Sequence, residues 1–189
     1  LVGDEKVLTE ELKNYPEKSK IDIVHTSEVI GMDEHPSLIL RKKRSSTMAI
    51  AISLVKEGKA DGVVSAGNTG AQMASSIHLL GRIRGIERPG IGAPIPNMKG
   101  GFSLLIDAGA NSECKPYNIL NFARMGSLAF QSLWSIKEPT VGFVNIGKEK
   151  EKGSSLTVEA FRLISNSSLR FIGNIEGHDI LSGDVDVIV

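Results

Sequence analysis

Three polar loops hold most of the side chains whose type and spacing can do chemistry. The first is Ser65-Ala66-Gly67-Asn68-Thr69-Gly70. Its small residues let backbone amides approach an anion. Asn68 or Thr69 can cap a following helix, whose free amides and dipole favour phosphate. Ser65, Gly67, Asn68, Thr69 and Gly70 are therefore candidate phosphate contacts. The same string also reads as a plain strand-to-helix turn. The second loop runs from Asp107 to Pro116. Asp107 follows an apolar strand, Asn111 can donate to a carbonyl or phosphate oxygen, and Lys115 can neutralise a phosphoryl charge. Alternatively, Asp107 anchors the loop and Lys115 is solvated before Pro116. The third loop, Asn145 to Ser155, alternates in charge, as solvated loops do. Yet it follows an apolar strand and precedes a helical pattern. Asn145 and Gly147 are candidate substrate contacts. Lys152, beside Gly153, can reach a phosphate or stabilise developing negative charge. Ser154 or Ser155 can simply cap the next helix.

Arg41, Lys42, Lys43 and Arg44 form a compact basic cluster. It suits an acidic partner or anion, or the solvated start of a helix. Cys114 has no histidine beside it and reads as a structural thiol. His25, His35, His78 and His178 lack metal-ligand spacing, so neither a metal site nor a cofactor is expected. No ordered catalytic triad emerges.

These loops need elements to hold them. Ile21 to Thr26 reads as a strand. Met48, Ile52 and Val55 repeat at helix spacing, with Gly58 as the stop. Gly62-Val63-Val64 reads as a short buried strand, and Met73, Ile77 and Leu80 mark the next helix. Gly92 to Ile95 and Ser103 to Ile106 read as strands joined by a turn over Pro96 to Gly101. Ile119, Phe122, Ala123, Ala129 and Leu133 predict a long amphipathic helix. Val141 to Asn145 is a strand, Leu156 to Ile164 a helix, and Arg170 to Ile172 and Val185 to Val189 are strands. Repeated βα alternation predicts an α/β fold, a three-layer αβα sandwich with a mostly parallel sheet and helices on both faces. Ligands in such sheets gather beyond the carboxyl ends of the strands.

The chain has 189 residues, 41% of them apolar and 23% charged, a composition that builds a packed domain. Twenty-two basic and 22 acidic residues leave no net charge, which gives no support for a nucleic-acid partner. One cysteine cannot form an intrachain disulfide, in keeping with an intracellular setting. No apolar run approaches the roughly 18 residues of a membrane span. Leu1 to Asp4 reads as a strand end leading into a loop, and Asp186 to Val189 as a strand without successor. The expectation is one domain over 1–189 that lacks segments at both ends.

Several strings, in order along the chain, resemble the bacterial phosphate acyltransferase family of phospholipid synthesis. They include His25 to Ile30, Arg41 to Met48, Ser65 to Ala71, Gly81 to Pro89 and Asp107 to Asn111. Cys114 to Pro116, Phe122 to Ser127, Val141 to Gly147 and Gly173 to Leu181 complete the series. The resemblance implies an isocitrate/isopropylmalate dehydrogenase-like fold in a homodimer. It implies attack of inorganic phosphate on an acyl-acyl carrier protein thioester, giving acyl phosphate and free carrier protein. The product would feed a membrane glycerol-3-phosphate acyltransferase, and the enzyme would be cytoplasmic and peripherally membrane-associated. Lys152 matches the lysine of the family's Lys-Gly-Asn-Glu-Leu string and becomes the first choice for stabilising charge, with Asn111 and Lys115 orienting phosphate. Arg41 to Arg44 would meet the carrier protein or the ligand.

The chain departs from the pattern at Ser154-Ser155, where the family has Asn-Glu, and at His178, where it has arginine. Ser112-Glu113 replaces the usual Val-Asp. The family's Asp-Ala-Met-Gly-Gly-Asp and Asp-Gly-Phe-x-Gly-Asn segments are not among these residues. The rival enzyme is a phosphate acetyl- or butyryltransferase using acyl-coenzyme A. A nicotinamide-dependent dehydrogenase lacks its Gly-x-Gly-x-x-Gly fingerprint here. A non-catalytic carrier-protein-binding module is the non-enzyme alternative.

Overall fold

Strand alternation organises residues 83–189. In β4 (Phe102–Ile106), Leu104 and Ile106 point to one face and Leu105 to the other. The computed structural model describes residues 1–35 and 42–189. These fall into two compact units, Leu1–Arg82 and Ile83–Val189.

The first unit pairs β1 (Val2–Gly3) with β2 (Val24–His25) in parallel. Three helices follow capping residues that its sequence supplies. Asp4 accepts from the Lys6 and Val7 amides at the start of α1 (Glu5–Leu12). Ser46 caps α2 (Thr47–Lys56), and Asn68 caps α3 (Thr69–Leu79). Gly58, at φ 69°, ends α2 as expected, with the Lys59 amide donating back to the Leu54 carbonyl. Ile30, Met48, Ile52 and Ala71 form the core.

Two expectations change here. Gly62 to Val64 forms no strand, and Val64 is 99% exposed. No described strand pairs with it, and of its two valines only Val63 packs against the core of this unit. In α3 the buried face is Ala71 and Ser75, while Ile77 and Leu80 are exposed. The small side chains let α3 approach α2 closely, which moves the larger residues outward.

The second unit holds β3 (Gly92–Pro96), β4, α4 (Pro116–Trp134), β5 (Thr140–Val144), α5 (Ser155–Ser165), β6 (Arg170–Ile175) and β7 (Val187–Ile188). The sheet order is β3-β4-β7-β5-β6, and only β3 is antiparallel. The β3–β4 hairpin turns over Pro96 to Gly101 as expected. Asn97 Oδ1 accepts from the Lys99 and Gly101 amides, each at 3.1 Å, and closes the turn. β3 is an edge strand, which tolerates Pro94 and Pro96.

Helices α4 and α5 pack on each other and cover the face bearing Leu104, Ile106, Val141, Phe143 and Val187. Leu105, Val144, Ile175 and Ile188 face the other side with Val185, where Ile180 of the 3₁₀ helix Gly177–Leu181 packs. Gly126 brings α4 against the sheet: a Cβ there would lie 2.7 Å from Val187 Cγ1 and 2.8 Å from Ile106 Cγ2. The amphipathic stripe of α4 shifts in its last turn. Phe130 is buried and stacks on Trp134 at 4.5 Å, leaving Leu133 exposed. This unit is a mixed α/β sandwich on a mostly parallel sheet, as the βα alternation predicts, but both of its α-helices lie on one face, whereas the sequence led to helices on both.

Candidate active site

Because β4, β5 and β6 are parallel, the loops after them leave the same edge of the sheet. Asp107 follows β4, Asn145 follows β5 and Glu176 follows β6. β7 lies between β4 and β5, so the first two loops start about 10 Å apart at ordinary strand spacing.

Asp107 and Asn111 lock the first of these loops. Asp107 Oδ1 accepts from the Ile91 amide at 2.8 Å and the Ala110 amide at 3.1 Å. Its Oδ2 accepts from both the backbone and the side-chain amide of Asn111, each at 2.8 Å. Asn111 Nδ2 also donates to the Pro89 carbonyl at 2.9 Å. The Asn111 amide group is thus committed to the protein, leaving its carbonyl oxygen, an acceptor suited to a protonated phosphate oxygen. Lys115 opens α4, with Pro116 in the first turn. Asn118 reaches back to the Lys115 amide at 2.9 Å and donates to Glu87 at 3.3 Å. The Lys115 ammonium lies 3.7 Å from Glu87 and is exposed. The Asn118 hydrogen bond and the Lys115 charge hold the Glu87 carboxyl below the usual range. Burial, and then the Asp107 charge, push the Cys114 thiol up, which suits a packing role rather than a nucleophile.

Asparagines also hold the second loop. Asn145 Nδ2 donates to the Lys152 carbonyl at 3.0 Å, and Asn174 Nδ2 to the Glu149 carbonyl at 2.8 Å. Asn174 is buried, and its Oδ1 has no hydrogen-bond partner among the described residues. Gly153, at φ 93°, turns the chain into α5, which Ser154 caps. A Cβ at Gly147 would lie 2.8 Å from Glu149 Oε2 and 3.2 Å from Lys152 Cγ, both on flexible side chains that lie across this glycine. The Lys152 stem therefore crosses Gly147, and its ammonium rests 3.8 Å from Glu149, with both side chains half in solvent. Such an exposed pair is worth about 0–1 kcal/mol and is readily exchanged for an incoming anion.

Glu176, His178 and Asp179 bring three potential metal-ligating atoms within 4.8 Å of one another, a grouping that histidine spacing alone did not show. The Lys148 ammonium already sits 3.2 Å from Asp179. The Glu176 amide, then Lys148 and His178, hold the Asp179 carboxyl low.

In the first unit, Ser65 Oγ accepts from the Gly67 amide at 3.1 Å. Asn68 caps α3 through Oδ1 and donates through Nδ2 to the carbonyls of Gly31, Met32 and Glu34 at 3.1–3.2 Å. Thr69 and Gly70, at the start of α3, are exposed. Lys43 lies 2.5 Å from Glu34 and 2.6 Å from the Val29 carbonyl, so its ammonium is engaged internally. Arg44 is also engaged within the chain, and Lys42 is exposed. Arg41 lies outside the described residues.

Sequence reasoning singled out neither Asn174, Glu149, Glu87 nor Asn118 for a role. Glu87 and Asn174 lie inside quoted strings. Their partners are distant in sequence, so only the fold reveals the contacts.

Comparison with known proteins gives these loops a context. Phosphate acyltransferase of Desulforamulus reducens is 48% identical over 189 residues, which are 100% of this chain and 56% of that protein. Phosphate acyltransferase of Syntrophomonas wolfei is 46% identical over 191 residues, covering 100% and 60%. The chain spans little more than half the length of these relatives. A phosphotransacetylase from Streptococcus pyogenes matches with a TM-score of 0.71 at 15% identity, covering 100% of this chain and 67% of that one. EutD phosphotransacetylase from Staphylococcus aureus gives 0.67 at 18% identity, covering 100% and 68%. At these identities the structures show a shared fold. They place the sandwich beside phosphotransacetylases. No described helix is long and apolar enough to cross a membrane. The family model described as "Fatty acid synthesis protein" matches residues 1–189 throughout, and the chain belongs to that family.

Proposed function

We propose that the chain is the greater part of a phosphate acyltransferase domain that transfers an acyl group from a thioester to inorganic phosphate. The observation that carries this is the pair of anchored loops at one sheet edge, each presenting an exposed lysine that, among the described residues, makes a long carboxylate contact. Phosphate is a nucleophile at neutral pH, so no side chain need be activated. Its oxygen attacks the thioester carbonyl, the carbon–sulfur bond breaks, and the departing thiolate takes a proton. The protein must offset charge repulsion, aim the phosphate and stabilise the oxyanion. Lys115 meets the phosphate charge once Glu87 releases it. Lys152 stabilises the oxyanion once Glu149 does so. Asp107, Asn145 and Gly147 shape the loops from which they act. Within the first unit, Ser65 to Gly70 has amides at a helix start that suit a phosphate group in their own right.

The resemblance of the family strings supports acyl-acyl carrier protein as the donor, with free carrier protein and acyl phosphate as products. The phosphotransacetylase likeness favours the second reading, an acyl-coenzyme A donor. With the carrier-protein donor come a homodimer of isopropylmalate dehydrogenase-like fold and a role for exposed Lys42 in docking. Supply of acyl phosphate to a glycerol-3-phosphate acyltransferase at the membrane follows. The test incubates the full-length parent protein with phosphate and each donor, and follows acyl phosphate by mass spectrometry. Product from the carrier-protein donor supports the first reading. Product from acyl-coenzyme A alone selects the second. Carrier binding without phosphate-dependent thioester cleavage leaves a binding module.

A further inference from the structure

The sheet edge opposite the candidate site has its own cavity. It opens where α4 passes the amino ends of β5 and β6 and measures about 580 Å³, within the usual range for small-molecule sites. Arg124 of α4, Lys137 before β5 and Arg170 at the start of β6 line it, together with Glu138. Three cations against one carboxylate leave a formal lining charge of +2. Elsewhere Lys13, Lys43, Lys59, Lys99 and Lys148 each lie within 4 Å of a carboxylate. Around this cavity no such ion pair forms among the described residues; Arg170 instead donates to the Glu138 carbonyl at 3.4 Å. Arg124 and Lys137 form no ion pair among the described residues. Like charges gathered around a hollow repel one another and raise the local concentration of anions. Leu128 and Leu169 add an apolar stretch to the same lining.

We infer that this cavity binds a phosphate monoester carrying an apolar chain. The dianionic head matches the lining charge, and two guanidinium groups suit paired contacts to phosphate oxygens. The chain would lie along Leu128 and Leu169. β5 is five residues long, so the cavity and Asn145 lie at opposite ends of one strand, about 17 Å apart. The site is thus separate from the candidate active site, and its occupancy does not depend on which acyl donor the enzyme uses.

The experiment labels the leucine and isoleucine methyl groups of the chain for NMR and titrates decyl phosphate below its aggregation concentration. Ile146, exposed beside the candidate active site, reports on that edge. The Leu128 and Leu169 methyls are expected to shift saturably, and the Arg124→Gln/Arg170→Gln pair to raise the Kd at least tenfold. Lys137→Gln, on an exposed loop, supplies a second charge variant should the pair perturb folding, and is expected to weaken binding severalfold. Unmoved Leu128 and Leu169 methyls overturn the inference. So do equal shifts with neutral decanol, equal affinity in the charge variants, or the same response to inorganic phosphate alone. A response confined to Ile146 assigns the ligand to the opposite edge and also overturns it.

Discussion

Asp107 Oδ2 receives both N–H groups of Asn111, backbone and side chain, at the same 2.8 Å. One carboxylate oxygen thereby fixes the loop after β4, while Oδ1 ties that loop to Ile91 at the start of the hairpin. Asp107→Ala strands four donors, two of them on Asn111. The expected cost is about 2–4 kcal/mol, since lost partners of part-buried donors cost ~1–3 kcal/mol each and water recovers some of this. Urea unfolding checks it. Asp107→Asn keeps the shape but replaces one acceptor oxygen with a donor. It should fall between wild type and alanine. Equal stability of all three would remove the loop-anchoring role.

Lys152 stands apart from that anchor because, among the described residues, its ammonium is paired with Glu149 alone, at a long 3.8 Å. In the full-length parent, Lys152→Ala should lower kcat by ~10²–10³, the effect of losing one oxyanion stabiliser. Lys152→Arg should recover part of it, and Glu149→Gln should leave kcat within a fewfold of wild type. Steady-state kinetics with phosphate as varied substrate separate the cases. A rise in KM for phosphate with kcat unchanged would assign Lys152 to binding rather than to the transition state.

The same contrast explains how far sequence reasoning reached. The hairpin turn at Pro96 to Gly101, the stop at Gly58 and the helix starts after Asn68 and Ser154 are encoded locally, by residues that cap or turn their own neighbours. Those features were legible. The two readings left open for Asp107 were not separable, because its partners Ile91 and Asn111 lie on both sides of a hairpin that must first fold. Asn174 and Glu149 are 25 residues apart, and Asn118 and Glu87 are 31 apart. No pattern in either segment points to the other. Gly62 to Val64 looked like a buried strand because apolar β-branched residues were counted without knowing whether a neighbouring strand existed.

Gly126 illustrates a position whose requirement is steric. Alanine there would favour the helix by about 1 kcal/mol locally. Its methyl, however, would lie under 3 Å from Val187 and Ile106, both buried on the sheet. Overpacking of this kind costs ~1–3 kcal/mol. Gly126→Ala should therefore be net destabilising, by up to about 2 kcal/mol in thermal or urea unfolding. A stabilised variant would mean that α4 can lift from the sheet without loss.

The Lys43–Glu34 pair makes a prediction about acid. Hydrogen bonds from Lys43 and then from the Gly31 amide hold the Glu34 carboxyl below its ordinary value of 4.5. A carboxyl depressed in the folded state contributes stability that is full above its unfolded value. That contribution is lost as pH falls through the lower folded value. The segment from Gly31 to Glu34, which also receives Asn68, should therefore loosen below about pH 4.5. Glu34→Gln should be less stable than wild type at pH 7 and should lose less on acidification from pH 5 to pH 3. Melting curves of both proteins across that range test the sign. Parallel losses in the two would show that other carboxylates dominate acid unfolding and that the pair with Lys43 contributes little.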